Sequence, residues 1–248
     1  MSEPGTPEAD WTGCAALAHA PAVSSDSVLE NAGRLVVVAP HPDDETLSAG
    51  GLIAAAAGRG CPVVVVLVTD GEASHDGSAR WTRAALAAQR IDELNCALAA
   101  LDAANATVLR LSLPDGSVSD AVELVAGRLR SELRASDVVV CPWRRDGHPD
   151  HEATAAAVLA AVAEIGCRVL EAPIWMWHWR TPDCALIEWH RLLRVPLPPQ
   201  MASRKTRALQ AFVSQRERDP SLDRTPIADA AVMAHFQRDF ESFFDHVA

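Results

Sequence analysis

His41, Asp43 and Asp44 stand in one short run, Pro40-His41-Pro42-Asp43-Asp44-Glu45, and His148, Asp150 and His151 in another, Gly147-His148-Pro149-Asp150-His151. Two imidazoles and a carboxylate can hold one metal and leave a position open for water, the ligand pattern of a catalytic rather than a structural zinc. A carboxylate left over beside such a site can accept a proton from that water. The runs lie about a hundred residues apart, so only a fold can join them. Singly, each has an ordinary reading: His-x-x-Asp at a strand end is commonly a helix cap or surface pair, and His-x-x-His is common by chance. Their joint placement is what argues for chemistry.

The first run follows the apolar stretch Leu35-Val36-Val37-Val38-Ala39 and the second follows Val138-Val139-Val140-Cys141, so each reads as the exit from a buried strand. In an open parallel sheet such exits line the edge where ligands bind. Strand-like and helix-like segments alternate from Arg34 onward: 35–39 then 46–58, 62–68 then 80–101, 107–111 then 120–135, 137–141 then 152–165, and finally 168–174. Repeated βα alternation predicts an α/β fold, Rossmann-like and doubly wound, with a mostly parallel sheet flanked by helices. After Trp175 the pattern predicts a strand pair around 185–196 and helices near 201–218 and 229–247. In the last of these Met233, Phe236, Phe240, Phe243 and Phe244 form one apolar stripe, read as docking on the sheet. Residues 1–33 read as an arm, loosely structured or laid over the surface, and 34–248 as a single domain.

At a net charge of -11 the chain lacks the basic face of a nucleic-acid binder. Six cysteines without C-x-x-C spacing read as reduced residues in a cytoplasmic protein, and no apolar run is long enough to span a bilayer. The acidic surface and the Phe-rich tail leave room for a homo-oligomer. The first strand exit carries charge and imidazole where a dinucleotide fold needs glycines, and neither a P-loop nor a G-x-S-x-G elbow occurs. Metal or acid–base chemistry remains.

The two runs, with Gly50-Gly51, Thr69-Asp70-Gly71-Glu72, Pro114-Asp115-Gly116 and the 145–152 segment, resemble the PIG-L and LmbE-like N-deacetylases, zinc hydrolases that remove acyl groups from amino sugars. The resemblance covers most of 34–173. It implies that His41, Asp44 and His151 bind one Zn2+, that Asp43 is the general base, that His148 stabilises the oxyanion or shuttles a proton, and that Asp150 orients a neighbouring histidine. It further implies a small-molecule N-acylated amino sugar or glycoconjugate as substrate, with acetyl the expected group lost to metal-activated water. The alternatives are an amidase acting on a sugar–thiol conjugate and a non-catalytic binding protein of the same fold. Some family members carry a tyrosine just before the second motif, where this tyrosine-free chain has Asp146.

Glu72, Asp115, Asp146, Trp177 and His178 are the candidate substrate contacts. Trp175, Trp177 and Trp179 alternate as in a strand and would share one face, where indoles could stack on a sugar or, as an equal alternative, pack into the core. Arg90 and Glu93, at helical i,i+3 spacing, read as a local ion pair.

Overall fold

Trp11 determines how the chain begins. In the computed structural model, which describes residues 5–246, α1 (Glu8–Thr12), α2 (Ala15–His19) and α3 (Ser25–Val28) precede the sheet. The Trp11 indole is fully buried, donates to the Trp177 carbonyl at 2.7 Å and meets the Trp177 ring edge-on. Glu8 adds a bidentate bond to Arg238. The stretch is thus anchored over the surface instead of hanging loose, because a buried indole and a paired carboxylate offset the ordering of its backbone. Residues 1–4 of the expected arm, and Val247 at the end of the expected last helix, lie outside the described residues.

The valine-rich runs become β1 (Arg34–Ala39), β2 (Val63–Thr69) and β4 (Asp137–Pro142), with β3 (Thr107–Leu113), β5 (Arg168–Ala172), β6 (Leu192–Pro196) and β7 (Phe240–His246) completing a seven-stranded sheet of order β3-β2-β1-β4-β5-β7-β6. The first five strands in that order are parallel, and β7 runs antiparallel to both β5 and β6. Continuous β-branched runs suit strands covered on both faces: Leu35, Val37 and Ala39 enter one core, Val36 and Val38 the other. The crossovers are α4 (Asp44–Gly58), α5 (Arg83–Ala100), α6 (Val122–Glu132) and α7 (Pro149–Ile165). Beyond β5 come α8 (Met176–Trp179), α9 (Pro199–Leu209), α10 (Val213–Arg216) and α11 (Ala230–Ala234). The α/β expectation holds; no described helix is long and apolar enough to cross a membrane.

The tail departs from expectation twice. The expected strand pair at 185–196 is one strand, β6, whose partner is the distant β7, and the expected helix over 229–247 is the short α11 followed by that strand. Phe243 and Phe244 point into different cores, so both faces of β7 are covered and the alternation that identifies a strand is absent. The apolar spacing then imitates a helix.

α4 is broken at Ala49, where φ is -136° and ψ 20°. The Leu47 carbonyl takes the Lys205 ammonium at 2.8 Å, while the amides of Gly51 and Leu52 donate to Glu241 at 2.6 and 2.9 Å. A buried ion pair, 2.7 Å between Lys205 and Glu241, has thus been inserted into the helix ladder and satisfies groups the break sets free. Glu241→Ala would strand a buried ammonium and two amides; a loss of about 3–5 kcal/mol is expected, read as a lower denaturant midpoint.

Candidate active site

The sheet order places β1 between β2 and β4, so the chain leaves β1 toward one side and returns on the other. This is the topological switch point where the carboxyl ends of parallel strands open a crevice. The residues after β1 turn into α4 and those after β4 into α7, which brings Asp44 and His151 into facing first helical turns. His148 caps α7, its Nδ1 accepting the Asp150 amide at 3.3 Å.

Three side chains converge here. Asp44 Oδ2 lies 3.2 Å from His41 Nδ1 and 3.3 Å from His151 Nε2. The outer imidazole nitrogens are engaged elsewhere: His41 Nε2 faces Asp115 and Asp150 at 3.1 and 3.2 Å, and His151 Nδ1 faces Asp146 at 2.8 Å. With the ring protons held by those carboxylates, His41 Nδ1, His151 Nε2 and Asp44 Oδ2 turn lone pairs toward one point. His151 Nε2 is buried without a hydrogen-bond partner. Three acceptors in contact need a cation among them. Donor separations of 3.2 and 3.3 Å fit a tetrahedral ion bound at about 2.0–2.2 Å, and two histidines with one carboxylate suit zinc. Without a metal, protons take its place. Burial opposes charge on both rings, yet Asp115, Asp150 and Asp44 hold His41 well above its usual value, and Asp44 and Asp146 push His151 up to about 9. Asp44 moves the opposite way: burial is outweighed by His151 and His41, which hold its carboxyl down.

Asp43 is adjacent to this trio and outside it. Its φ of 135° is a strained value for a residue with a side chain. The turn is held from several directions: Glu45 Oε2 accepts the Asp43 amide at 3.0 Å, and Arg90 donates to the Pro42 carbonyl at 2.6 Å and the Gly71 carbonyl at 3.0 Å. Gly71 has φ +67°, and a Cβ there would strike the Arg90 guanidinium at 2.1 Å, so no side chain fits. Arg90 also lies 3.1 Å from Asp43 Oδ2. Burial raises the Asp43 pKa, and Arg90 is the strongest influence pulling it back down.

The expected Arg90–Glu93 pair is therefore a correction. Glu93 instead accepts from the Ser214 amide and hydroxyl at 2.8 and 2.7 Å. The signal was present: Leu86, Arg90, Leu94 and Ala97 mark the buried stripe of α5, and an arginine there needs buried partners. Removing the guanidinium in Arg90→Gln should raise the Asp43 pKa, so activity that needs the carboxylate should fail at a higher pH than in the parent. The acid limb of a kcat/KM profile should move up by roughly one to three units.

Around the trio opens a cavity of about 270 Å³ lined by His41, Asp43, Asp44, Asp115, His148 and Trp175, among others. His148 is pushed down to about 4 by burial and then by the neighbouring His151 and His41. It is accordingly a neutral ring whose Nε2 carries the proton, since Nδ1 accepts the Asp150 amide.

The expected substrate contacts separate. Asp115 lines the cavity. Glu72 does not; its Oε1 accepts the Asp115 amide at 3.0 Å and steadies that loop. Asp146 is fully buried and faces the protein, accepting the amides of Ile174, Trp175 and Met176 at 2.8–3.0 Å besides touching His151. It cannot reach a ligand, and it joins the His151 ring to the chain after β5. Residues 176–179 form a helix where a strand was expected, so the three tryptophans do not share a face. Trp175 and Trp179 stack at 4.7 Å, one helical turn apart, while Trp177 is buried between Trp11 and Arg238. His178 lies outside the cavity lining, its carbonyl accepting from Thr6.

The family model described as PIG-L, GlcNAc-PI de-N-acetylase, matches residues 36–162, about half of the chain and both motif runs. A protein of Mycolicibacterium gilvum (strain PYR-GCK), named 1D-myo-inositol 2-acetamido-2-deoxy-alpha-D-glucopyranoside deacetylase, is 34% identical over 182 residues, covering 62% of this chain and 61% of its own length. The chain spans about three fifths of the length of such curated relatives. Among solved structures, the zinc-inhibited form of a teicoplanin deacetylase is 25% identical with a TM-score of 0.58, covering 73% of this chain and 84% of that one. An A40926 pseudoaglycone deacetylase at 22% identity and TM-score 0.63, covering 86% and 96%, shares the fold.

Proposed function

The chain belongs to the PIG-L family, and on that premise we propose that it is a zinc-dependent hydrolase removing an N-acyl group, acetyl first among them, from an amino-sugar-containing small molecule. The observation that carries the reading is the convergence of three buried lone pairs, from His41, Asp44 and His151, beside a separate carboxylate, Asp43, with His41, Asp43 and Asp44 lining one cavity. A divalent ion held by that trio supplies Lewis acidity, polarising the acyl oxygen and making water more acidic. Asp43 takes the water proton as oxygen attacks the amide carbon. Neutral His148 donates its Nε2 proton as a hydrogen bond to the oxygen that gains charge. Asp43 then delivers its proton to the departing nitrogen, leaving a free amine and a carboxylate. Asp150 and Asp115 fix the His41 ring, and Asp146 the His151 ring, as carboxylates behind metal-binding histidines commonly do.

The six free cysteines suit a reducing cytoplasm. A panel of N-acetylated amino sugars and glycoconjugates, scored for amine release by protein loaded with zinc, cobalt or manganese, tests the proposal; one relative was solved in a zinc-inhibited form, which makes the choice of ion worth varying. Turnover of at least one amino-sugar amide is expected. No turnover across the panel with any ion would overturn it.

A further inference from the structure

The cavity that His41, Asp43 and Asp44 line also has an extended apolar part. Ala228, Val232 and Phe236 recur at intervals of four on and beside α11, and Leu47, Ile174 and Ile227 continue the surface. Leu47 stands one helical turn beyond Asp44, so this wall begins next to the reacting position. The polar groups that border these residues are partly engaged within the protein: Gln215 Nε2 donates to Ser214 at 2.9 Å, Arg224 donates to the Ser74 carbonyl, and the Ser74 hydroxyl meets His75 at 3.1 Å. Pyranose hydroxyls laid against Ala228, Val232 and Phe236 would lose water to side chains that offer no hydrogen bond in return. Apart from Leu47, these apolar residues lie outside the matched span 36–162.

We infer that the substrate carries an alkyl group beside the scissile amide and that this wall binds it. The inference rests on the hydrolase reading above for the identity of the reacting group. The alkyl group could belong to the acyl chain or to the aglycone, and the two sources separate in one experiment. Two series are compared with metal-loaded enzyme below micellar concentrations: N-acetylglucosamine as methyl, butyl, hexyl and octyl glycosides, and glucosamine bearing acetyl, butyryl, hexanoyl and octanoyl groups.

One series should show kcat/KM rising about two- to fourfold per methylene until the cavity is full, the gain expected from burying each group; the rising series names the source. In Val232→Asn the ratio between the longest and shortest member of that series should fall at least tenfold. Ile227→Asn, in a loop, supplies the same readout if the helix variant does not fold. Hydrolysis that is flat along both series would overturn the inference and leave the hydrolase reading intact. Absence of all hydrolysis would instead strike that reading, and calorimetric titration then still reads the wall. Tighter binding of the octyl than the methyl glycoside, or of the octanoyl than the acetyl amide, supports an alkyl site, and equal binding along both series overturns it.

Discussion

Asp43→Asn lowers turnover by about two to four orders of magnitude, the usual contribution of a general base, while metal content and folding stay at the parent level. Asparagine preserves the shape and suits the backbone: Asp43 sits at φ 135°, and asparagine tolerates positive φ better than most residues with a side chain. Alanine at the same position combines lost chemistry with strain, so Asp43→Ala should also unfold at a lower denaturant concentration. Asp43→Gly, which relieves the strain, separates the two effects, because it should be inactive and yet more stable than the alanine variant by roughly 1–3 kcal/mol. Equal turnover in Asp43→Asn and the parent would remove Asp43 from the mechanism.

His151→Ala has the second large effect and a different signature. His151 is fully buried, its Nδ1 held by Asp146 and its Nε2 turned to Asp44. Without it the trio loses one of three donors, so bound metal and turnover should disappear together, with turnover falling at least as far as in Asp43→Asn. The pair of variants distinguishes proton transfer from metal binding: one retains the ion and loses the reaction, the other loses both. Metal analysis of each purified variant beside its rate reads the difference. Full metal occupancy in His151→Ala would show that the ion sits elsewhere.

The parts of this arrangement that were legible in the sequence are those set by local patterning. Valine-rich runs buried on both faces have few alternatives to central parallel strands, and the charged residues that follow Ala39 and Pro142 therefore had to fall at strand ends. What could not be read depends on distant partners. Phe240–His246 is a strand because β5 and β6 flank it, and nothing in its own spacing reveals those neighbours. Asp146 looked like a pocket residue from its place in the motif, but amides at 174–176 turn it inward. Arg90 lay on a legible stripe, yet its role depended on Pro42 and Gly71, brought beneath it by the ends of two other strands. The wall at 227–236 combines both kinds of difficulty, since its residues have ordinary core character until the fold sets them in one cavity with His41 and Asp44.

The central claim is that His41, Asp44 and His151 hold a metal ion on which amide hydrolysis depends. It is tested most directly by stripping the purified protein with a chelator, measuring amine release from an amino-sugar substrate identified in the panel, and titrating a divalent metal back. Release should stop in the stripped protein and return in proportion to bound metal, reaching its full value at one ion per chain. Undiminished hydrolysis by protein shown to be free of metal would contradict it.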